Sequence, residues 1–163
     1  MKISANFTDG EFLSPIFLTK INRRGLPSTR YINPRLVDAA EFIRAFLNTY
    51  FKSQDSEVKS VSMNGNKAGV TTRGLRSFWD VTSSSWLSDH RYLNAFDCDV
   101  VIKYKNGSKK EADYREIQRI ILDNEQEFMA AGISMIEDVT IARTWLHFSI
   151  AWLPNEQHIK VIS

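Results

Sequence analysis

The chain has one cysteine, Cys98, among its 163 residues. That excludes an intrachain disulfide, and it leaves too few thiolates for a structural zinc site built mainly from cysteine. No run approaches the roughly 18 consecutive apolar residues that a membrane-spanning helix needs. The opening Met1-Lys2-Ile3-Ser4-Ala5-Asn6-Phe7 has no apolar stretch of signal-peptide length. The expectation is a soluble chain made in the cytoplasm, with no membrane insertion, whose access to any substrate elsewhere depends on another agent. An excess of one charge is missing too: 21 basic residues face 19 acidic ones, for a net charge of +2. A nucleic-acid partner is therefore not expected, because such proteins carry a basic patch or stripe. The short basic pieces Lys20 to Arg24 and Lys103 to Lys110 read as solvated loop faces. There is no internal repeat and no low-complexity tract.

What is present is enough for a real core, with 43% hydrophobic and 12% aromatic residues. The length suits a single domain over 1–163, with an N-terminal arm at 1–32 and a core at 33–163. The arm reads as irregular, with one apolar piece at Phe7, Phe12 and Leu13 and a polar turn from Asn22 to Ser28. Asn33-Pro34 is a helix start, the Asn as cap and the Pro at the first helical position. Leu36, Ala39, Ala40, Ile43, Phe46, Leu47 and Tyr50 then recur at helical spacing over 34–51.

Val58 to Met63 alternates as a half-buried strand does. Residues 64–85 read as one long connection, of a length that is often functional. Phe96 to Tyr104 reads as a central strand, followed by an Asn106-Gly107 turn. Asp113 with Glu116 resembles a capping box for a helix from Tyr114 to about Ala131, which Gly132 is placed to end. Ile133 to Ile136, Trp145 to Trp152 and His158 to Ile162 are further strand candidates. Pro154-Asn155 suggests that the last two form an antiparallel hairpin. The sum is an α+β fold in which helices flank an antiparallel sheet.

Histidine is scarce, and two of the three stand in informative company. His90 lies in Ser88-Asp89-His90-Arg91-Tyr92-Leu93-Asn94-Ala95-Phe96-Asp97, and His147 lies in Thr144-Trp145-Leu146-His147-Phe148. Two imidazoles and a carboxylate are a sufficient protein ligand set for a catalytic zinc, which keeps a fourth position for water and lowers its pKa to about 7. Alternation along a strand sets Trp145, His147 and Ser149 on one face, with Leu146, Phe148 and Ile150 on the other. Taken singly, each residue also has an ordinary structural role open to it. His90 could be a loop histidine, Asp97 a strand-start cap, and His147 a hydrogen-bonded ring between tryptophans. His158 reads as structural, and Cys98, next to Asp97 on the opposite face, as core.

Ser88-x-His90, Ala95-x-Asp97 and Trp145-x-His147 together resemble the zinc peptidases of the D-Ala-D-Ala carboxypeptidase family. That family includes phage and bacterial L-alanyl-D-glutamate endopeptidases and shares its fold with the hedgehog signalling domain. The likeness extends to Asn6-Phe7-x-x-x-Glu11-Phe12, to Arg73-Gly74-Leu75-Arg76, and to Gly132-Ile133-x-x-Ile136-Glu137-Asp138. It implies a hedgehog/DD-peptidase-like fold, with zinc held by His90, Asp97 and His147. It also implies cleavage of a peptide bond in peptidoglycan stem peptides. Arg76, with Arg73 second, would steady the developing oxyanion, and Ser88 would orient a ligand from behind.

Two positions depart from the family pattern. Thr144, three residues before the last ligand, stands where many members carry an acidic general base, and Leu93, three residues after the first, stands where they carry glycine. Glu137 or Asp138 would supply the carboxylate if the loop from Val139 to Arg143 folds back. The alternative is a catalytically impaired module that binds cell wall or other phage proteins. Either reading fits action on the wall after release, or as part of a virion. Residues 64–87 would decide between a closed carboxypeptidase pocket and an open endopeptidase groove.

Overall fold

The computed structural model describes residues 1–65, 94–150 and 158–163. Arg73, Arg76, Ser88, His90 and Leu93 lie outside the described residues, as does the long connection expected over 64–85, apart from its first two residues.

The stretch read as an irregular arm is helical over much of its length. α1 spans Asp9–Phe12, α2 spans Pro15–Arg23, and a 3-10 turn covers Ser28–Tyr31. Ser14 caps α2 by accepting the Phe17 amide, with Pro15 at the first helical position, the same device that starts the longer helix below. Phe7, Phe12 and Leu13 are all buried in the core. Each such side chain contributes about 1.5–3 kcal/mol on full burial, so this segment is an integral part of the packing. α3, Pro34–Gln54, begins as expected, the Asn33 side chain accepting the Arg35 amide. It buries Leu36, Ala39, Ala40, Ile43 and Leu47, together with Val37 and Phe51.

Six strands form one sheet among the described residues. They are β1 Val58–Asn64, β2 Ala95–Tyr104, β3 Lys109–Glu111, β4 Met135–Glu137, β5 Leu146–Ser149 and β6 Lys160–Ile162. The order is β1-β2-β5-β4-β6, and β3 also pairs with β2. β2 is the spine: β1 lies along one edge, while β5 and β3 share the other. Tyr114 helps close the gap between β5 and β3, its hydroxyl accepting the Val100 amide (3.2 Å) and donating to Glu111 (3.2 Å). Burial pushes that phenol's pKa well up.

The α+β reading holds, but the sheet is mixed, not purely antiparallel. β6 pairs parallel with β4, Ile136 opposite Val161. Among the described residues the expected hairpin between the last two strands does not form. Both edges of β5 are occupied, by β2 and β4, so the final strand takes the outer edge of β4.

The helix expected over 114–131 is two. α4 spans Tyr114–Asp123 and α5 spans Glu125–Ala130. Asn124 divides them, its side-chain amide donating to the Ile120 carbonyl (2.8 Å), the kind of local bond by which Asn competes with helix continuation. Asp113 caps α4 through the Arg115 amide. Gly132, at φ 89°, closes α5 in the left-handed conformation that glycine adopts without steric cost.

One core joins these layers. Phe96 of β2 stacks on Phe12 (centroids 4.4 Å apart) and meets Phe7 and Phe148 edge-on. Phe42 and Phe46 of α3 pack on Phe128 of α5. Cys98 is fully buried in this core. No helix among the described residues is long and apolar enough to cross a membrane.

Candidate metal centre

β2 and β5 run antiparallel with Asp97 directly opposite His147. Residues paired this way project from the same face of a sheet, with Cβ atoms about 4.5–5.5 Å apart. The side chains meet: Asp97 Oδ1 lies 2.7 Å from His147 Nδ1. Both residues are buried, at 6% and 7% exposure. The neighbouring pair, Phe96 opposite Phe148, faces the other way into the phenylalanine cluster. The aromatic pair thus fixes the register on one face that aligns the polar pair on the other. A slip of one residue would send Asp97 into the apolar core.

The same row continues into a third strand. β4 pairs Met135 with Ser149 and Ile136 with Phe148, and continuing that register sets Glu137 beside His147. Its Oε1 lies 4.0 Å from Nδ1, on a side chain about a quarter exposed. Two carboxylates therefore converge on one ring nitrogen. Glu137 arrives through strand pairing and needs no fold-back of the 139–143 loop. Asp138, next in sequence, is differently engaged. Its carboxylate accepts the Thr140 amide (2.8 Å) and a long contact from Gln118 (3.5 Å). Hydrogen bonds from Thr140 hold it below the usual carboxylate range, which makes it a weak proton acceptor near neutrality. Thr144 is exposed on the turn before β5.

On the far side of the ring, Ser149 Oγ lies 3.4 Å from Nε2. Ser149, His147 and Asp97 thus stand in the order nucleophile, base, orienting acid. Ser149 is 0% exposed, so no substrate carbonyl can reach its hydroxyl, and a serine-hydrolase reading fails on access. Its contact with Nε2 was open to anticipation, since a residue two positions from a strand histidine shares its face. His158 stands apart, bonded to Glu125 at the surface (2.9 Å).

The donors around Nδ1, one imidazole nitrogen and carboxylate oxygens, are of the type zinc accepts. Among the described residues no three His, Cys, Asp or Glu side chains are disposed to hold one ion. Glu137 therefore does not complete a ligand set with Asp97 and His147, and it stands as a carboxylate beside the pair. Comparison of the chain with profiles of protein families, with curated proteins and with solved structures finds no match. The functional reading rests on this geometry and on the sequence motifs.

Proposed function

We propose that the chain is a zinc-dependent peptidase of hedgehog/DD-peptidase-like fold that hydrolyses peptide bonds in peptidoglycan stem peptides. One observation supports it most: the buried imidazole of His147 presents Nδ1 to Asp97 at 2.7 Å and to Glu137 at 4.0 Å. In this reading Asp97, His147 and His90 hold the metal, and Glu137 is the acid–base residue. A zinc bound there supplies Lewis acidity and a hydroxide-like nucleophile near neutral pH. The substrate class comes from the motif resemblance.

The chain's own groups have separate tasks. Asp97 is buried on β2 and fixes the orientation of the His147 ring. Glu137 keeps part of its carboxylate in solvent, where a peptide can approach. It accepts a proton at a carboxylate oxygen during attack and returns it to the leaving amine, a role worth about 10²- to 10⁴-fold in rate. Arg76, with Arg73 second, stabilises negative charge on the carbonyl oxygen, and Ser88 orients a ligand. Thr144 cannot accept a proton at neutral pH, and Glu137 takes over that task.

The competing reading, a module that keeps the fold and binds wall peptides or other phage proteins without turnover, draws on Thr144 and Leu93. The approach of Glu137 to His147 favours catalysis over it. Incubation with purified cell walls decides between them. Peptidase activity predicts new amino groups, abolished by chelation, restored by zinc and absent in His147→Ala. Intact walls in the presence of zinc-loaded protein would leave the binding module.

A further inference from the structure

We infer that the corner of the molecule from the end of α2 to the first turn of α3 is a docking surface for a linear phosphate polymer of the bacterial cell wall. The choice of polymer rests on the peptidase reading above, which sets the substrate in the wall; the cationic surface itself does not.

From Phe12 to Val37 the chain holds no aspartate or glutamate, and it carries Lys20, Arg23, Arg24, Arg30 and Arg35. This stretch is +5 in a chain of net charge +2, so the remainder is −3. Lys20 to Arg24 do not form the loop face expected of them: they lie in the last turns and at the C-cap of α2. The chain then doubles back. The Arg24 and Leu26 amides both bond the Ile21 carbonyl (3.0 Å each), and Gly25 turns at φ 63°. The Arg30 amide bonds the Pro27 carbonyl (3.2 Å), and the Tyr31 ring meets Phe17 of α2 edge-on at 5.3 Å. Arg35 follows in the first turn of α3. All four arginines are exposed, and among the described residues none is paired with a carboxylate. The acids that precede them are engaged, Asp9 by the Met1 ammonium and the Ser28 hydroxyl and Glu11 by Thr8.

Helix stability accounts for only part of this charge. Arg23 and Arg24 complement the negative end of the α2 dipole. Arg30 lies in the 3-10 turn, and Arg35 stands where the dipole of α3 disfavours a cation. Cations gathered on one corner repel one another until an anion joins them. The chain's other cationic run differs. Lys109 and Lys110 lie on β3, an edge strand among the described residues, where lysine deters pairing with another chain.

The chemistry on offer is phosphate recognition. The guanidinium fork matches phosphate oxygens. Phe17 and Tyr31 pack on one another and are half-buried, so they offer no platform on which a nucleic-acid base could stack. Ile16 is the one large apolar side chain exposed in this stretch, far short of the apolar face that an interfacial helix sinks into lipid. What remains is a set of charges suited to a polymer with repeating phosphates.

Co-sedimentation with purified cell walls tests this, the comparison being walls stripped of phosphate polymers by hydrofluoric acid. Wild type is expected to pellet with intact walls, to lose most of that binding on stripped walls, and to be released by salt. Arg30→Gln with Arg35→Gln should lower the slope of log affinity against log salt by about 2. Lys109→Gln with Lys110→Gln changes net charge equally and should leave the slope unaltered. The intact-against-stripped comparison decides even if a variant folds poorly. Equal binding to both walls, equal losses from the two double variants, or tighter binding to double-stranded DNA or phosphatidylglycerol vesicles than to intact walls would overturn the inference. Cleavage of walls without this binding would leave the peptidase reading standing alone; binding by zinc-loaded protein without cleavage would sink that reading and keep this one.

Discussion

Replacing Glu41 by glutamine tests whether the N-terminal segment braces the strand that carries Asp97. Glu41 sits on α3 and accepts hydrogen bonds from Ser4 Oγ (2.7 Å), the Asn6 amide (2.9 Å), Asn6 Nδ2 (2.8 Å) and Arg44 Nε (3.1 Å). Beyond Asn6 the chain delivers Phe7 and Phe12 to Phe96, the residue before Asp97. Burial opposes the charge on Glu41, but the bonds from Ser4, Asn6 and Arg44 outweigh it and hold the carboxyl below its ordinary value of 4.5. A bond to a charged group contributes about 1.5–3 kcal/mol. Three such bonds come from the N-terminal segment, and partial exposure reduces the loss because water replaces some of them. The expected cost of Glu41→Gln at neutral pH is about 2–3 kcal/mol.

The pH dependence has a definite sign. A depressed folded-state pKa gives stability that is full above the unfolded value, near 4.5, and is lost as pH falls through the lower folded value. Urea unfolding followed by circular dichroism, from neutral pH down to about pH 3, reads both effects. The difference between wild type and Glu41→Gln should be largest at neutral pH and shrink in acid. A variant as stable as wild type at neutral pH, or a gap that does not close in acid, would refute the reasoning.

Other consequences are equally open to measurement. Glu137→Gln should retain bound zinc and lose about 10²- to 10⁴-fold in the rate of wall-peptide cleavage; an unchanged rate would remove Glu137 from the chemistry. Gly65→Ala should destabilise by about 1–3 kcal/mol or more in urea unfolding, because a Cβ there would stand 2.5 Å from the Glu11 carbonyl oxygen and 2.6 Å from the Phe96 ring. Phe12→Ala should cost about 3–5 kcal/mol by emptying the place stacked against Phe96; a loss below about 1 kcal/mol would return residues 1–32 to the status of a loose arm.

The sequence made legible those features that local chemistry controls. Asn33-Pro34, Asp113 and Gly132 announce helix ends through capping and backbone conformation, and the structure uses each one. The alternation in β5 correctly sets His147 and Ser149 on one face. It does not reveal that this face is as buried as the other, because burial depends on what packs above the strand. The Ser14-Pro15 start of α2 carried the same signal as Asn33-Pro34 but preceded a helix of only nine residues, against 21 in α3. The parallel seat of β6 was hidden because the pairing of distant strands is settled by which edge remains open. At the site, Asp97 and His147 were legible as types and spacing. That Glu137, and not Asp138, approaches the ring follows from strand register, which places one residue of each adjacent pair on either face.

Zinc stoichiometry at equilibrium tests the central claim most directly. Wild-type protein, stripped of metal and dialysed against zinc, should bind about one ion per chain, the number for a single site with three protein ligands. Asp97→Ala and His147→Ala should each lose it while circular dichroism remains that of a folded α+β protein. A folded wild type that binds no zinc, or either variant binding it as tightly as wild type, would contradict the account.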